Sequence, residues 1–403
     1  AQQTPSPLIN SFRTYKEMKE ESKFNLNWIS LGPTLNSARA DVVQVDTANP
    51  GTMYVGFGSG GLWKTVNNGL SWKSIFEDQS GFSIGDFAIA PSNPNILYLG
   101  TGEHLKKPRN YTLPGTGMYR SNDAGKTWEH MGLEKSQQIS RIIIHPDNNN
   151  IIYVAAQGAV NGPTKERGVY KSMDGGKSWK NVLFVNELSG ASELSIDYNN
   201  PKVLYATMWE HQRLPWKVIS GGEGSGVYKS TDGGENWFKI ENGLPNELGK
   251  LAISVSRANS DKVYLLAESD SNKRLGGLFV SNNAGESWSR ISKYAELTSR
   301  SWYYIEVFAD PNDENTVYVL SARAFRSIDG GKTWERIYSG HGDYHDLWIN
   351  PDNSKNMIIS DDGGGEITFD NASSWSSIDI MPTAQFYRVN VDNMFPYNLY
   401  GGQ

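Results

Sequence analysis

Three stretches of the chain carry side chains that could do chemistry. His341-Gly-Asp343-Tyr-His345-Asp346 sets two imidazoles beside two carboxylates, a group able to ligate zinc or another divalent ion. Strand alternation would place Asp343 and His345 on one side and Asp346 opposite, with Asp361-Asp362 in the next loop as a further ligand source. The spacing is no metal signature, so His341, Asp343, His345 and Asp361 are weak metal candidates. The expectation is hydrogen bonding at a binding mouth, with no metal and no cofactor. The second stretch, Trp209-Glu-His211-Gln-Arg213-Leu-Pro-Trp216, offers two aromatic platforms beside an Arg and a His. Aromatic faces stack on sugar rings or apolar side chains, and a guanidinium fixes carboxylates or amides. The alternative is a loop folded back on itself, its Trps capping the structure beneath. Glu103-His104 and Arg109-Asn110, on the third stretch, could face the same mouth.

A larger set of acids belongs to a repeat. Ser/Thr-x-Asp/Asn-x-Gly-x-x-Trp begins at Thr65, Ser121, Ser172, Ser230, Ser281, Ser327 and Thr368, the last copy carrying Ala372 in place of Gly. The Asp or Asn closes a hairpin by accepting backbone N–H groups, and the Gly supplies a positive φ. The Trp packs its ring between neighbouring units. These carboxylates therefore brace turns rather than act as catalytic acids or calcium ligands. Each unit has an alternating apolar run (Asp41–Asp46, Arg141–His145), then a Pro/Asn/Asp turn (Pro91–Pro94, Pro311–Asp313) and a second run with a tyrosine (Thr52–Val55). A third run leads into the motif (Gly168–Ser172), and a fourth starts at its Trp (Trp179–Leu183).

This pattern predicts an all-β fold, a β-propeller of four-stranded antiparallel blades with Asp-box hairpins. Seven blades are expected, or eight if the terminal segments Trp28–Leu31, Phe386–Val391 and Asn398–Tyr400 form a split blade. Residues 1–25 read as a tail or short helix and 26–403 as the propeller. The loops between second and third strands, and between blades, share one face. Long insertions fall there, at Glu103–Gly115, Gln157–Arg167 and Trp209–Gly224, and that face is where a ligand is expected.

Bulk properties narrow the partners. The chain of 403 residues is 38% hydrophobic and carries a net charge of −6 without a basic run, which speaks against nucleic acid and anionic membranes. It has no cysteine, which removes disulfides and thiolate sites, and no apolar stretch near the roughly 20 residues a membrane span needs. The polar start Ala1-Gln-Gln-Thr-Pro5 reads like the end left by signal-peptide cleavage, so a secreted, cell-surface or periplasmic bacterial protein is expected.

The repeats, with Gly56-Phe-Gly-Ser-Gly-Gly-Leu-Trp-Lys64, Ser83–Pro91, Gly100-Thr-Gly-Glu103 and Glu166-Arg-Gly-Val-Tyr170, resemble the bacterial secreted Asp-box (BNR-repeat) proteins, sortilin-like and xyloglucanase-like. That resemblance implies a propeller, often followed by a second one, and either a peptide ligand or xyloglucan cleavage. The cleaving enzymes carry a catalytic Asp in an Arg-Thr-Asp-Ile-Gly-Gly stretch after the second strand of the first repeat. The matching position here is Ser59, which cannot serve as acid or base. Their second Asp lies in the second propeller. The expectation is an exported propeller binding a peptide, protein or glycan on its loop-rich face without catalysis of its own. The alternative is a glycoside hydrolase whose cleft a second propeller, in this chain or another, completes.

Overall fold

The Asp box folds as local chemistry dictates. In the second copy Ser121 Oγ donates to Asp123 Oδ1 at 2.8 Å, and the Gly125 N–H donates back to Ser121 Oγ at 2.9 Å. The Thr127 N–H then donates to Asp123 Oδ1 at 2.9 Å, closing the turn. The same bonds recur around Asp174, Asp232, Asn283, Asp329 and Asp370. These bonds, led by the Thr127 hydroxyl, hold the carboxyl of Asp123 down to about 2. The turn needs a left-handed residue where the motif has Gly: φ is 88° at Gly125 and 91° at Gly331. In the seventh copy Ala372 is forced to 63° there.

A computed structural model describes residues 6–24, 30–33, 38–105, 112–269, 273–377 and 379–402. A helix, Pro7–Glu21, is capped by Ser6 and precedes the ring. Seven antiparallel sheets follow, their inner strands Ala40–Val45, Ile84–Ile89, Ile139–His145, Ser189–Ile196, Leu251–Val255, Glu306–Ala309 and Tyr344–Ile349. Blades 1, 2, 3, 5 and 6 have four strands, blade 4 adds a fifth, Lys217–Ser220, and blade 7 has three. Each inner strand packs on the next, and that of blade 7 on that of blade 1, so the ring closes at seven. Among the described residues no eighth, split blade forms. The hairpin Arg388–Val391 and Leu399–Gly402 pairs only with itself, and Trp28-Ile29 of the expected split strand lie outside the described residues.

Neighbouring blades are joined by a repeated set of contacts. Each Asp-box Trp packs on the preceding blade, as Trp288 does on Tyr205 and Val227. Trp128 Nε1 donates to Ile75 O at 2.8 Å and Trp179 Nε1 to Met131 O at 2.7 Å, both on the preceding blade's last strand or its end. In the other direction the second-strand tyrosines reach the following blade: Tyr153 Oη donates to Gly233 O at 2.9 Å and Tyr205 Oη to Ala284 O at 2.8 Å. The basic residue just before the Asp box doubles this bond, Lys171 Nζ to Gly233 O and Lys229 Nζ to Ala284 O. Its ammonium lies over the same tyrosine ring, 5.7 Å from the centroid for Lys171 and Tyr153.

Two outcomes check this construction. Trp288→Ala, which empties a buried inter-blade seam, is expected to cost about 3–5 kcal/mol in chemical denaturation. Ala372→Gly, relieving a left-handed alanine, is expected to stabilise by about 0.5–1 kcal/mol, whereas Gly331→Ala should destabilise by at least as much.

Candidate functional site

The inner strands do more than line the axis. On five of them pairing slips by one residue, at Asp41, Gly85, Ser140, Ser192 and His345. A bulge re-aims the residue that follows it. At four of these bulges the following residue is charged: Asp86, Arg141, Glu193 and Asp346. They meet on the axis with Glu306, the first residue of its inner strand. Arg141 bonds Glu193 bidentately, Nε–Oε1 at 2.5 Å and Nη2–Oε2 at 2.9 Å. Its Nη2 lies 3.4 Å from Glu306, and its Nη1 3.6 Å from both Asp86 and Asp346. Lys250 approaches Glu306 at 3.5 Å. Two of the acids also bond backbone on the next blade: Asp86 accepts from the Ile142 N–H and Asp346, across the ring seam, from the Val43 N–H at 3.0 Å.

Burial governs the protons of this hub. It lifts Asp86 to about 7, against the pull of Arg141, and raises Asp346 as well. Burial also opposes the charge of Glu193, but the Arg141 contact outweighs it and Glu193 is lowered. Glu306, buried and next to the Glu193 charge, is raised well above the carboxylate range and keeps the proton of that pair.

Above the hub, the loop-rich face is packed by a second layer. Arg39 donates to Asp41 at 2.8 Å and to Glu103, joining the first blade to the Glu103 loop. Both carboxylates hold Arg39 charged despite its burial. Leu105, Tyr303 and Tyr304 form a buried cluster with Trp302 at its edge. His345 lies edge-on to Tyr304, 4.9 Å between centroids, with Nδ1 2.7 Å from Ala40 O across the seam and Nε2 3.4 Å from Asp362. Arg300 pairs with Asp343 at 2.6 Å.

The structure separates residues that stand together in sequence. Trp209 is 2% exposed, its ring 4.1 Å from that of His211, and both belong to the interior of blade 4. Beyond them the insertion continues as a two-stranded arm, His211↔Ser220 to Leu214↔Lys217, which presents Trp216 at its tip, 80% exposed. Arg213 lies over Trp302, 5.8 Å from its ring. Glu103 and His104 are buried beneath the mouth, and Arg109 lies outside the described residues. In the histidine cluster, His341 is exposed with Nδ1 on Gly342 O, while Asp361 is buried, accepts the Gly363 and Gly364 N–H groups and is lifted to about 7 by burial and then by Glu366. Among the described residues no group of three or more His, Asp or Glu is arranged to hold a metal ion. Arg141, Arg39, Arg300 and the Trp302-Tyr303-Tyr304 run were not singled out in the sequence. The last was visible as the aromatic run of the chain, the arginines only through long-range partners.

Residues 116–241 match the Sortilin-Vps10 family, described as sortilin, neurotensin receptor 3. Xyloglucanase Xgh74A of Acetivibrio thermocellus is 25% identical over 65% of the chain and 33% of its own length. Rat sortilin is 27% identical over 56% of the chain and 26% of its length. The chain is an Asp-box propeller similar to both the sortilins and the xyloglucanases. It spans about a third of the length of the xyloglucanases it matches. The crystal structure of an ancestral GH74 enzyme superposes on 91% of the chain and 49% of that structure, with a TM-score of 0.61 and 17% identity. YCF48 from Cyanidioschyzon merolae superposes on 85% of the chain and 98% of itself, with a TM-score of 0.56 and 15% identity; YCF48 bound to a D1 peptide gives 0.54. These structural likenesses establish the fold.

The hub has a pH signature. Asp86 binds its proton more tightly folded, near 7, than at its ordinary 3.8. Its contribution to stability is thus full below about pH 4 and is lost as pH rises toward 7. In Asp86→Asn, which keeps an acceptor for Ile142, the decline in melting temperature across that window should flatten. A decline as steep as in the parent would remove Asp86 from the account.

Proposed function

We propose that this propeller is an exported, non-catalytic binding module that takes an extended peptide, protein segment or glycan across its loop-rich face. The observation that carries the reading is how the carboxylates are used. At the hub, Asp86, Glu193, Glu306 and Asp346 are buried around Arg141; at the mouth, Asp41 and Glu103 hold Arg39, and Asp343 holds Arg300. Glycoside hydrolysis needs two carboxyls flanking the scissile bond, about 5–10 Å apart and reachable by substrate. What the face offers instead is the Trp216 arm, Trp302 with Arg213 over it, and the exposed His341, groups that stack and hydrogen-bond. YCF48, which shares the fold, has been solved with a D1 peptide bound.

A second reading rests on the C-terminal hairpin. All residues of both its strands are exposed, Tyr400 at 55%, as are the adjoining Tyr387 at 74% and Phe395 at 101%. An apolar hairpin of that kind invites cover. A second propeller seated on it would build the two-sided cleft that a xyloglucanase-like glycoside hydrolase requires. In that case the acids would have to come largely from the other propeller. Ser59, the position matching the enzymes' catalytic Asp, accepts from Gln385 Nε2 at 3.0 Å.

The two readings separate on one pair of assays. Binding on peptide and glycan arrays should fall at least tenfold, about 1.4 kcal/mol, in Trp216→Ala and in Trp302→Ala, with no release of reducing ends from xyloglucan. Reducing ends released by this chain alone would refute the non-catalytic reading.

A further inference from the structure

The opposite face carries a site of a different kind. On the side of the Asp-box turns the axis opens as a cavity of about 370 Å³ to which all seven inner strands contribute. That volume lies within the range of ligand pockets. Its walls are the half-exposed side chains of Gln44, Ile143, Ser195, Ser254, Phe308 and Trp348. Ile143, Ser195, Phe308 and Trp348 stand two residues along from Arg141, Glu193, Glu306 and Asp346, so alternation aims both members of each pair at the axis. Ser195 Oγ accepts the Val255 N–H at 3.1 Å and Ser254 Oγ the Ala309 N–H at 3.0 Å, which leaves each hydroxyl its own proton to donate.

Arg141 and Asp346 are the charged groups at the floor. Arg141 is already committed to four acids, and with Glu306 holding its proton the hub still sets three carboxyls, Asp86, Glu193 and Asp346, against two cations, Arg141 and Lys250. At the rim Asp46 and Arg257 offset each other, with Arg257 stacked 4.0 Å from the Tyr198 ring. The floor is therefore short of positive charge, under apolar and aromatic walls.

We propose that this cavity binds a cationic side chain, a lysine ammonium or arginine guanidinium carried by an extended peptide, with its charge on Asp346 and its apolar stem along Ile143, Phe308 and Trp348. Peptide carbonyls then lie level with the Ser195 and Ser254 hydroxyls. The site is independent of the loop-rich face, from which the buried hub divides it. Because burial raises the carboxyls of Asp346 and Asp86, a cation entering the floor displaces protons, and binding tightens as pH rises.

The test is a calorimetric or NMR titration of the whole chain with Nα-acetyl-lysine amide and with the uncharged Nα-acetyl-norleucine amide. The lysine probe is expected to bind at least tenfold more tightly at pH 8, and this preference should narrow at pH 6. Asp346→Asn keeps an acceptor for Val43 and should abolish the preference. Phe308→Arg, which places a cation in the wall and leaves the Asp346–Val43 bond at the ring closure in place, should abolish it too and covers the case in which Asp346→Asn does not fold. Equal affinity for the two probes, or a preference that survives Phe308→Arg, would overturn the proposal.

Discussion

One guanidinium on the propeller axis gathers the acids of four blades. Arg141 extends from the third blade to acids of the second, fourth, sixth and seventh, and two of those acids pass the connection on to the next blade's backbone. In a ring, every blade must be placed relative to one that is far away in sequence, and the seam between first and last has no chain running through it. Asp346 spans that seam to Val43 while lying against Arg141, and His345 spans it one residue earlier. Buried charges of this kind are costly to desolvate and poor sources of net stability, but removing one partner strands the others without water. The hub is thus better read as a device for specifying how the blades meet than as a reserve of stability.

Around it the periphery works by repetition. Each blade offers one neighbour an indole, and blades such as the third and fourth offer the other a tyrosine with a basic residue. No single seam has to be strong, because the seams recur around the circle. This division frees the two faces. The loop-rich side accommodates an insertion as long as the Trp216 arm without disturbing strand pairing below it, and the Asp-box side keeps short turns around an open cavity. A rigid ring with variable loops can host binding or catalysis alike, which is consistent with likeness to both sortilins and xyloglucanases.

What could be read in the sequence was what is local. The Asp box is eight residues long and its bonds close within it, so turn chemistry, the role of Gly and the number of repeats all follow from the text of the chain. The side taken by its Trp follows from the strand it opens. The hub was hidden for the opposite reason. Asp86, Arg141, Glu193, Glu306 and Asp346 are each the one charge in a short apolar run, and only ring closure together with bulges converts them into a cluster. The mouth was legible in part. Proximity in sequence grouped Trp209 with Trp216, yet pairing continues through Trp209 and carries only Trp216 out to solvent. His341 and His345 are divided in the same way, one exposed and one set in the bulge at the seam.

The most direct measurement is native-state hydrogen exchange on Arg141→Met. The Ile142 and Val43 N–H groups lie almost one hundred positions apart, on different blades, and both end on carboxylates that face Arg141. If the guanidinium organises the ring, both amides should lose protection together in the variant, while the Asp-box amides of Gly125 and Gly331 keep theirs. Unchanged protection at Val43, with any loss confined to Ile142 beside the substitution, would contradict a hub and leave the ring to its peripheral seams alone.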